Sequence, residues 1–152
     1  MLKRIIFVCH GNICRSPMAE FIMKYLVHNA GLEDGFMIAS AAATSEETGN
    51  DMYPPAKSEL KRHGIPFEHR HARKLRHDEY SGWDYIIAMD RENLYDIAGI
   101  VGKDDGHKVR LLLSFTGENR EVSDPWYTRD FASAYDDIYR GCEALLNELA
   151  YR

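Results

Sequence analysis

The stretch Val8-Cys9-His10-Gly11-Asn12-Ile13-Cys14-Arg15-Ser16-Pro17-Met18-Ala19-Glu20 leaves this chain few ways to fold. An apolar run, Ile5-Ile6-Phe7-Val8, leads into it, and a helix-start signal, Ser16-Pro17, leads out. A nearly continuous, β-branched-rich run suits a strand buried on both faces, as in a parallel sheet. Ser16 fits an N-cap and Pro17 the first helical position. A chain that passes from such a strand through a glycine-containing loop into a helix aims the loop N–H groups and the helix dipole at one point, which makes an anion site. Cys9 stands at the mouth of that site, where positive potential favours its thiolate. Arg15 brings the side chain that grips two phosphate oxygens at once. The expectation is that the Cys9 sulfur attacks phosphorus while Arg15 and the loop His10, Gly11, Asn12, Ile13 and Cys14 hold the phosphate. Gly11 permits close backbone approach, Asn12 suits a left-handed position, and the Ser16 hydroxyl can donate to the thiolate.

Further strands read at Phe36–Ala39, Tyr85–Met89 and 109–113, the first strand being Arg4–Val8. Helices alternate with them. The first ends near Gly31. A second opens at Pro54-Pro55 and is closed by Gly64. A third is capped by Asp90 and ended by Gly99 and Gly102. The clearest carries Phe131, Tyr135, Ile138, Cys142, Leu145 and Leu149 at steps of three and four. This alternation predicts a three-layer α/β fold: a four-stranded parallel sheet with helices on both faces and the phosphate loop after the first strand. Such sheets bind ligands beyond the C-terminal strand ends, where Cys9 lies.

The chain of 152 residues reads as one domain, 1–152. Its net charge of −5 excludes a general basic field for nucleic acid, so an anion must be bound by a local site. No apolar run approaches the roughly 20 residues of a membrane span. The apolar N-terminal run is too short for a signal peptide, and three cysteines without framework spacing fit a reduced, cytoplasmic setting.

Cleavage of an aryl phosphate needs an acid to protonate the leaving phenolate. Asp124, in a polar loop and stiffened by Pro125, is the best candidate; the same carboxyl would then activate water. A doubly charged substrate favours its protonated form, which predicts a mildly acidic optimum. Trp126 and Tyr127 would wall a slot for a flat ring.

The stretch Cys9 to Glu20 resembles the N-terminal signature of the low-molecular-weight protein tyrosine phosphatases. Met89-Asp90 with Asn93-Leu94, and Asp124-Pro125-Trp126-Tyr127, are similar to later motifs of that family in the same order. The resemblance implies hydrolysis of phosphotyrosine in protein substrates through a phosphocysteine intermediate, with no metal or other cofactor, in a monomer or weak dimer. It matches Cys9 to the nucleophile, Arg15 to the phosphate-binding arginine, Ser16 to the serine that stabilises the thiolate, and Asp124 to the general acid. Asn12 matches the asparagine that shapes the loop, and Ser40 its partner. Several members also link two cysteines placed like Cys9 and Cys14 under peroxide.

Two places depart from the pattern. The family often has a histidine just before Ala-Arg that supports the loop; here Ala72-Arg73 follows His69-Arg70-His71, and the register leaves His69 and His71 both open. Near the tip of the loop 44–53, where many members carry an aromatic residue, stand Glu46 and Glu47, an acidic rim. Two other activities remain. A thiol-dependent arsenate reductase would need further cysteines near the loop, and residues 73–108 have none. A phosphoarginine phosphatase commonly has threonine where Ile13 stands. His69, His71 and His77 fit no metal-ligand spacing and read as a solvated basic loop.

Overall fold

The four apolar runs become one sheet. The computed structural model describes residues 2–150. Strands β1 (Lys3–Cys9), β2 (Phe36–Ala42), β3 (Tyr85–Ala88) and β4 (Val109–Leu111) are all parallel, in the order β2-β1-β3-β4. Between and after them come α1 (Arg15–Asn29), α2 (Pro54–Arg62), α3 (Arg91–Val101), α4 (Pro125–Thr128) and α5 (Phe131–Ala150). The expected three-layer α/β fold is what forms.

Strand alternation sorts the core into two layers. Ile5, Phe7 and Cys9 of β1, with Ile87 of β3, pack among residues of α1, α2 and α5. Ile6, Val8, Ile86 and Ala88 face the other way, onto Ile97 and Val101 of α3. All four residues Ile5–Val8 are completely buried. Each contributes on the order of 1.5–3 kcal/mol, so a run with no polar face can only be a central strand. On α5 the residues at helical spacing are buried as expected, Cys142 among them.

Several boundaries differ from the sequence reading. β2 continues past Ala39 to Ala42, where Ala42 N–H donates to Arg73 and its carbonyl accepts from Leu75. β4 stops at Leu111, and Leu112 and Leu113 stay buried inside a 3₁₀ turn. Gly99 lies within α3, which ends only at Gly102, a residue with φ of 80°. The polar loop around Asp124 holds a short helix, α4. α1 begins at Arg15, so Cys14, not Ser16, precedes its first residue.

Topology fixes where a ligand can sit. β1 has its successor β2 on one side and β3 on the other. The winding reverses there, and the crevice beyond the C-terminal ends of β1 and β3 is the natural binding site. Cys9 ends β1 at this crevice, and Asp90 follows β3 beside it.

Candidate active site

The loop from Cys9 to Arg15 closes around the Cys9 sulfur. Ser16 N–H points at Sγ from 3.4 Å, and the Ser16 hydroxyl lies 3.0 Å away. Asn12 holds the loop's shape. It is fully buried at φ 60°, the left-handed conformation its side chain tolerates. Its Nδ2 donates to Ser16 Oγ at 2.7 Å and to Ser40 Oγ at 3.0 Å. Ser40 passes its own proton to Glu20, 2.6 Å away. Ser16 Oγ already accepts from Asn12, and its own proton has two acceptors within reach, the Cys9 sulfur at 3.0 Å and the Ala41 carbonyl at 3.4 Å, of which the sulfur is the nearer. The network therefore orients a donor at Cys9 from three residues away in space.

Arg15 is 2% exposed, yet charged. Its Nη1 donates to Asp90 Oδ2 at 2.7 Å and to the Val122 carbonyl at 2.9 Å; Nη2 lies 3.4 Å from Asp124 Oδ2. Burial works against the guanidinium charge, but Cys9, Asp124 and Asp90 outweigh it and hold Arg15 above its ordinary range. Asp124 is the N-cap of α4: one carboxylate oxygen accepts Trp126 N–H at 3.0 Å, and the other faces Arg15.

Cys9, Arg15 and Asp124 meet in one pocket, which Ile13 and Cys14 also line. Trp126 and Tyr127 also line it, as do Glu46 and Glu47. Both aromatic residues are substantially exposed rather than part of the core. The Tyr53 ring backs Trp126 at 4.9 Å. Burial, with Cys9 and Asp124 acting in the same sense, pushes the Cys14 thiol up to about 12.

One expectation needs correction, and one point left open by the sequence is answered. Ser16 does not cap α1; no side chain does. The reason is that its hydroxyl is committed to Cys9 and Asn12; its N–H also points at the sulfur, Pro17 has none, and the Arg15 N–H at the start of α1 is the one left for an anion. Neither His69 nor His71 supports the loop. His69 binds Asp51 at 3.0 Å and His71 the Gly49 carbonyl at 2.9 Å. Arg70, between them, donates instead to Asn12 Oδ1, which also accepts Arg73 N–H at 3.3 Å. The His69 and His71 rings meet edge-on, with centroids 4.9 Å apart, while His77 pairs with the Ile100 carbonyl.

Sequence reasoning also missed Asp90 as Arg15's partner. It read Asp90 only as a cap, which it is: Oδ1 accepts Asn93 N–H at 2.8 Å while Oδ2 takes Arg15. Its place directly after a strand, on the same sheet edge as Cys9, was the available signal. Glu20 and Arg70 had no comparable one.

Residues 4–152 match the family model of low molecular weight phosphotyrosine protein phosphatase. The chain is 37% identical over 144 residues to the low molecular weight protein-tyrosine-phosphatase YfkJ of Bacillus subtilis, covering 93% of this chain and 92% of that one. It is 36% identical over 151 residues to a human low molecular weight phosphotyrosine protein phosphatase, covering 96% and 95%. The crystal structure of YfkJ superposes with a TM-score of 0.94, covering 99% and 96% of the two chains. That of DARP, a Drosophila arginine phosphatase, does so with a TM-score of 0.85 at 32% identity, covering 96% and 97%.

Proposed function

This chain belongs to the low molecular weight phosphotyrosine protein phosphatase family, and from that premise we propose that it hydrolyses phosphotyrosine in proteins through a phosphocysteine intermediate, using Cys9, Arg15 and Asp124. It is a hydrolase of the protein-tyrosine-phosphatase class. The observation that carries the proposal is the convergence of a thiol, a buried guanidinium and a carboxyl in one pocket, with Arg15 Nη2 3.4 Å from Asp124 Oδ2.

In the first step the Cys9 thiolate attacks phosphorus in line with the phenolic oxygen. The P–O bond to the phenol breaks, and the Asp124 carboxyl gives its proton to that oxygen. Arg15, braced by Asp90 and Val122, turns its remaining N–H groups to the equatorial oxygens, joined by the uncapped N–H groups of the loop and of Arg15 at the start of α1. The Ser16 hydroxyl supports the sulfur when it leaves. In the second step water attacks phosphorus, Asp124 takes its proton, the P–S bond breaks and inorganic phosphate is released. Trp126 and Tyr127 flank the ring of the substrate.

Among the described residues no helix is long and apolar enough to cross a membrane, and the thiols of Cys9, Cys14 and Cys142 are free. We accordingly assign the protein to the cytoplasm, as a single domain of residues 1–152 acting as a monomer or weak dimer on phosphoprotein substrates. A second reading, phosphoarginine hydrolysis, is favoured by Glu46 and Glu47 on the rim, which suit a guanidinium, and by the likeness to the arginine phosphatase. Ile13 in the loop speaks for the tyrosine substrate.

The test is kinetic. The protein should hydrolyse an aryl phosphate in the presence of chelator, with vanadate as inhibitor, and Cys9→Ser should abolish turnover. Asp124→Asn should lower turnover most for phenols that leave poorly. Turnover that survives Cys9→Ser would overturn the mechanism, and an equal loss for all leaving groups would remove Asp124 from the acid's role. Faster release of phosphate from phosphoarginine than from phosphotyrosine would select the second reading.

A further inference from the structure

The rim of the pocket holds a group of side chains that the phosphatase chemistry does not use. His10 Nε2 lies 2.6 Å from Glu46 Oε2. A carboxylate can only accept, so Nε2 carries the proton and donates. In the neutral ring Nδ1 then carries the lone pair, on the other side from Glu46. Nδ1 is shut off from solvent and has no hydrogen-bond partner among the described residues. It faces Glu92 Oε1 at 3.5 Å, too far for a hydrogen bond. Asp96 stands one turn further along α3, on the same face as Glu92. It is half-buried and makes no ion pair among the described residues. One ligating atom from each of His10, Glu92 and Asp96 falls within 4.8 Å of the others.

We propose that His10, Glu92 and Asp96 form a binding site for a divalent transition-metal cation of the zinc class at the lip of the active-site pocket. Ligand atoms about 2.0–2.2 Å from a tetrahedral zinc ion lie roughly 3.3–3.5 Å apart. The His10–Glu92 pair already has that separation, and the exposed Glu92 side chain is free to adjust. The Glu46–His10 contact is the arrangement in which a carboxylate fixes the tautomer and orientation of a metal-binding imidazole. One imidazole and two carboxylates suit zinc or cobalt; magnesium and calcium call for oxygen ligands alone. Charge argues the same way. Glu46, Glu92 and Asp96 crowd a single imidazole next to a pocket built for a doubly charged anion, and a bound cation offsets that repulsion. The site is not part of the hydrolytic machinery. Its occupancy would set the charge of the rim that an approaching phosphoprotein meets.

The probe is the metal alone. Zinc binds thiolates and displaces thiol protons, so the titration uses full-length protein carrying both Cys9→Ser and Cys14→Ser. Calorimetric titration with Zn²⁺ should show one equivalent bound, with no saturable binding of Mg²⁺ over the same range. His10→Gln and Asp96→Asn should each weaken Zn²⁺ binding by roughly tenfold or more. Glu46→Gln, which only orients the imidazole, should weaken it less than His10→Gln. Thermal unfolding of each variant checks that the fold is intact, and the surface position of Glu92 makes Glu92→Gln the replacement if one of them fails. Absence of saturable Zn²⁺ binding up to about 1 mM, unchanged affinity in either variant, or equal binding of Mg²⁺ overturns the proposal. Since the readout is binding to a protein that cannot turn over, its failure leaves the catalytic reading untouched.

Discussion

Asn12 tolerates its left-handed conformation, and both ends of its amide are occupied there, with Arg70 as one of the partners. Burial pulls the Arg70 guanidinium down from its ordinary range, while Glu20, Asp51 and Cys9 act to retain its charge. A guanidinium stays protonated throughout the working range, so this support does not titrate. Removing it in Arg70→Ala leaves a buried carbonyl oxygen with only the long contact from Arg73 N–H. An incompletely satisfied buried acceptor costs about 1–3 kcal/mol. If the loop relaxes by that amount away from the geometry the transition state needs, kcat/KM falls roughly 10- to 100-fold. Arg70→Lys, which keeps a cation and a donor, should recover part of the loss. Stopped or steady-state assay of an aryl phosphate checks this; wild-type kcat/KM in Arg70→Ala would show that Arg73 suffices. Cys14 gives a second prediction at this scale. Under peroxide the Cys9 thiolate is oxidised to the sulfenic acid, and the Cys14 sulfur can displace water from it to give a disulfide. Cys14 must first lose a proton, and its thiol is pushed up to about 12. Disulfide formation should therefore speed up as pH rises from 6 to 8, read by mass spectrometry; sulfinic acid on Cys9 in its place would exclude this protection. The chemistry of Cys9, Arg15 and Asp124 was legible in the sequence because residue type and local spacing carry it. Arg70 was not, because its partner is far away in the chain and two histidines flank it.

At the level of elements, the strand, loop and helix around Cys9 were readable because periodicity and turn residues are local signals. The start of α1 was misread for an instructive reason. Ser16-Pro17 has the residue types of a cap, but the loop closes one residue earlier and the serine turns inward to the sulfur. A helix start that serves an anion must stay uncapped, and propensity rules describe the ordinary, satisfied case. α4 was hidden because a single turn has no period to detect. The close packing of α5 on the turn after β4 was equally invisible. A Cβ built on Gly141 would lie 2.5 Å from Leu112 Cγ and 3.0 Å from both its methyl carbons, and Leu112 is completely buried. Gly141→Ala would gain about 1 kcal/mol of helix propensity, but overpacking costs typically 1–3 kcal/mol, and the contact falls on the branch point of Leu112 rather than a movable tip. The variant should be less stable than the wild type in urea. A midpoint at or above the wild-type value would mean that α5 and the turn can separate without loss.

Across the whole molecule, the sheet order places the chemistry at one edge and structural ion pairs elsewhere. Arg4 and Asp84 join the starts of β1 and β3, at the opposite end of the sheet from Cys9. Arg120 and Arg140 grip Glu118 and Asp137, tying the stretch after the 3₁₀ turn to α5. Hydrogen bonds from Arg140, Arg120 and Thr116 hold the Glu118 carboxyl down to about 2, from an ordinary value of 4.5. A carboxylate with a depressed folded value contributes stability that is present above about 4.5 and lost as pH falls through about 2. The pair is exposed and screened by salt, so the contribution is small. Its pH dependence is nevertheless distinctive. Glu118→Gln keeps the shape but not the charge, so it should be less stable than the wild type at pH 7, and the difference in urea midpoint should close as both are titrated from pH 5 to pH 2. High salt at pH 7 should narrow the same gap. A difference that is constant from pH 7 to pH 2 would assign the effect of Glu118 to its hydrogen bond with Thr116 and not to the two arginines.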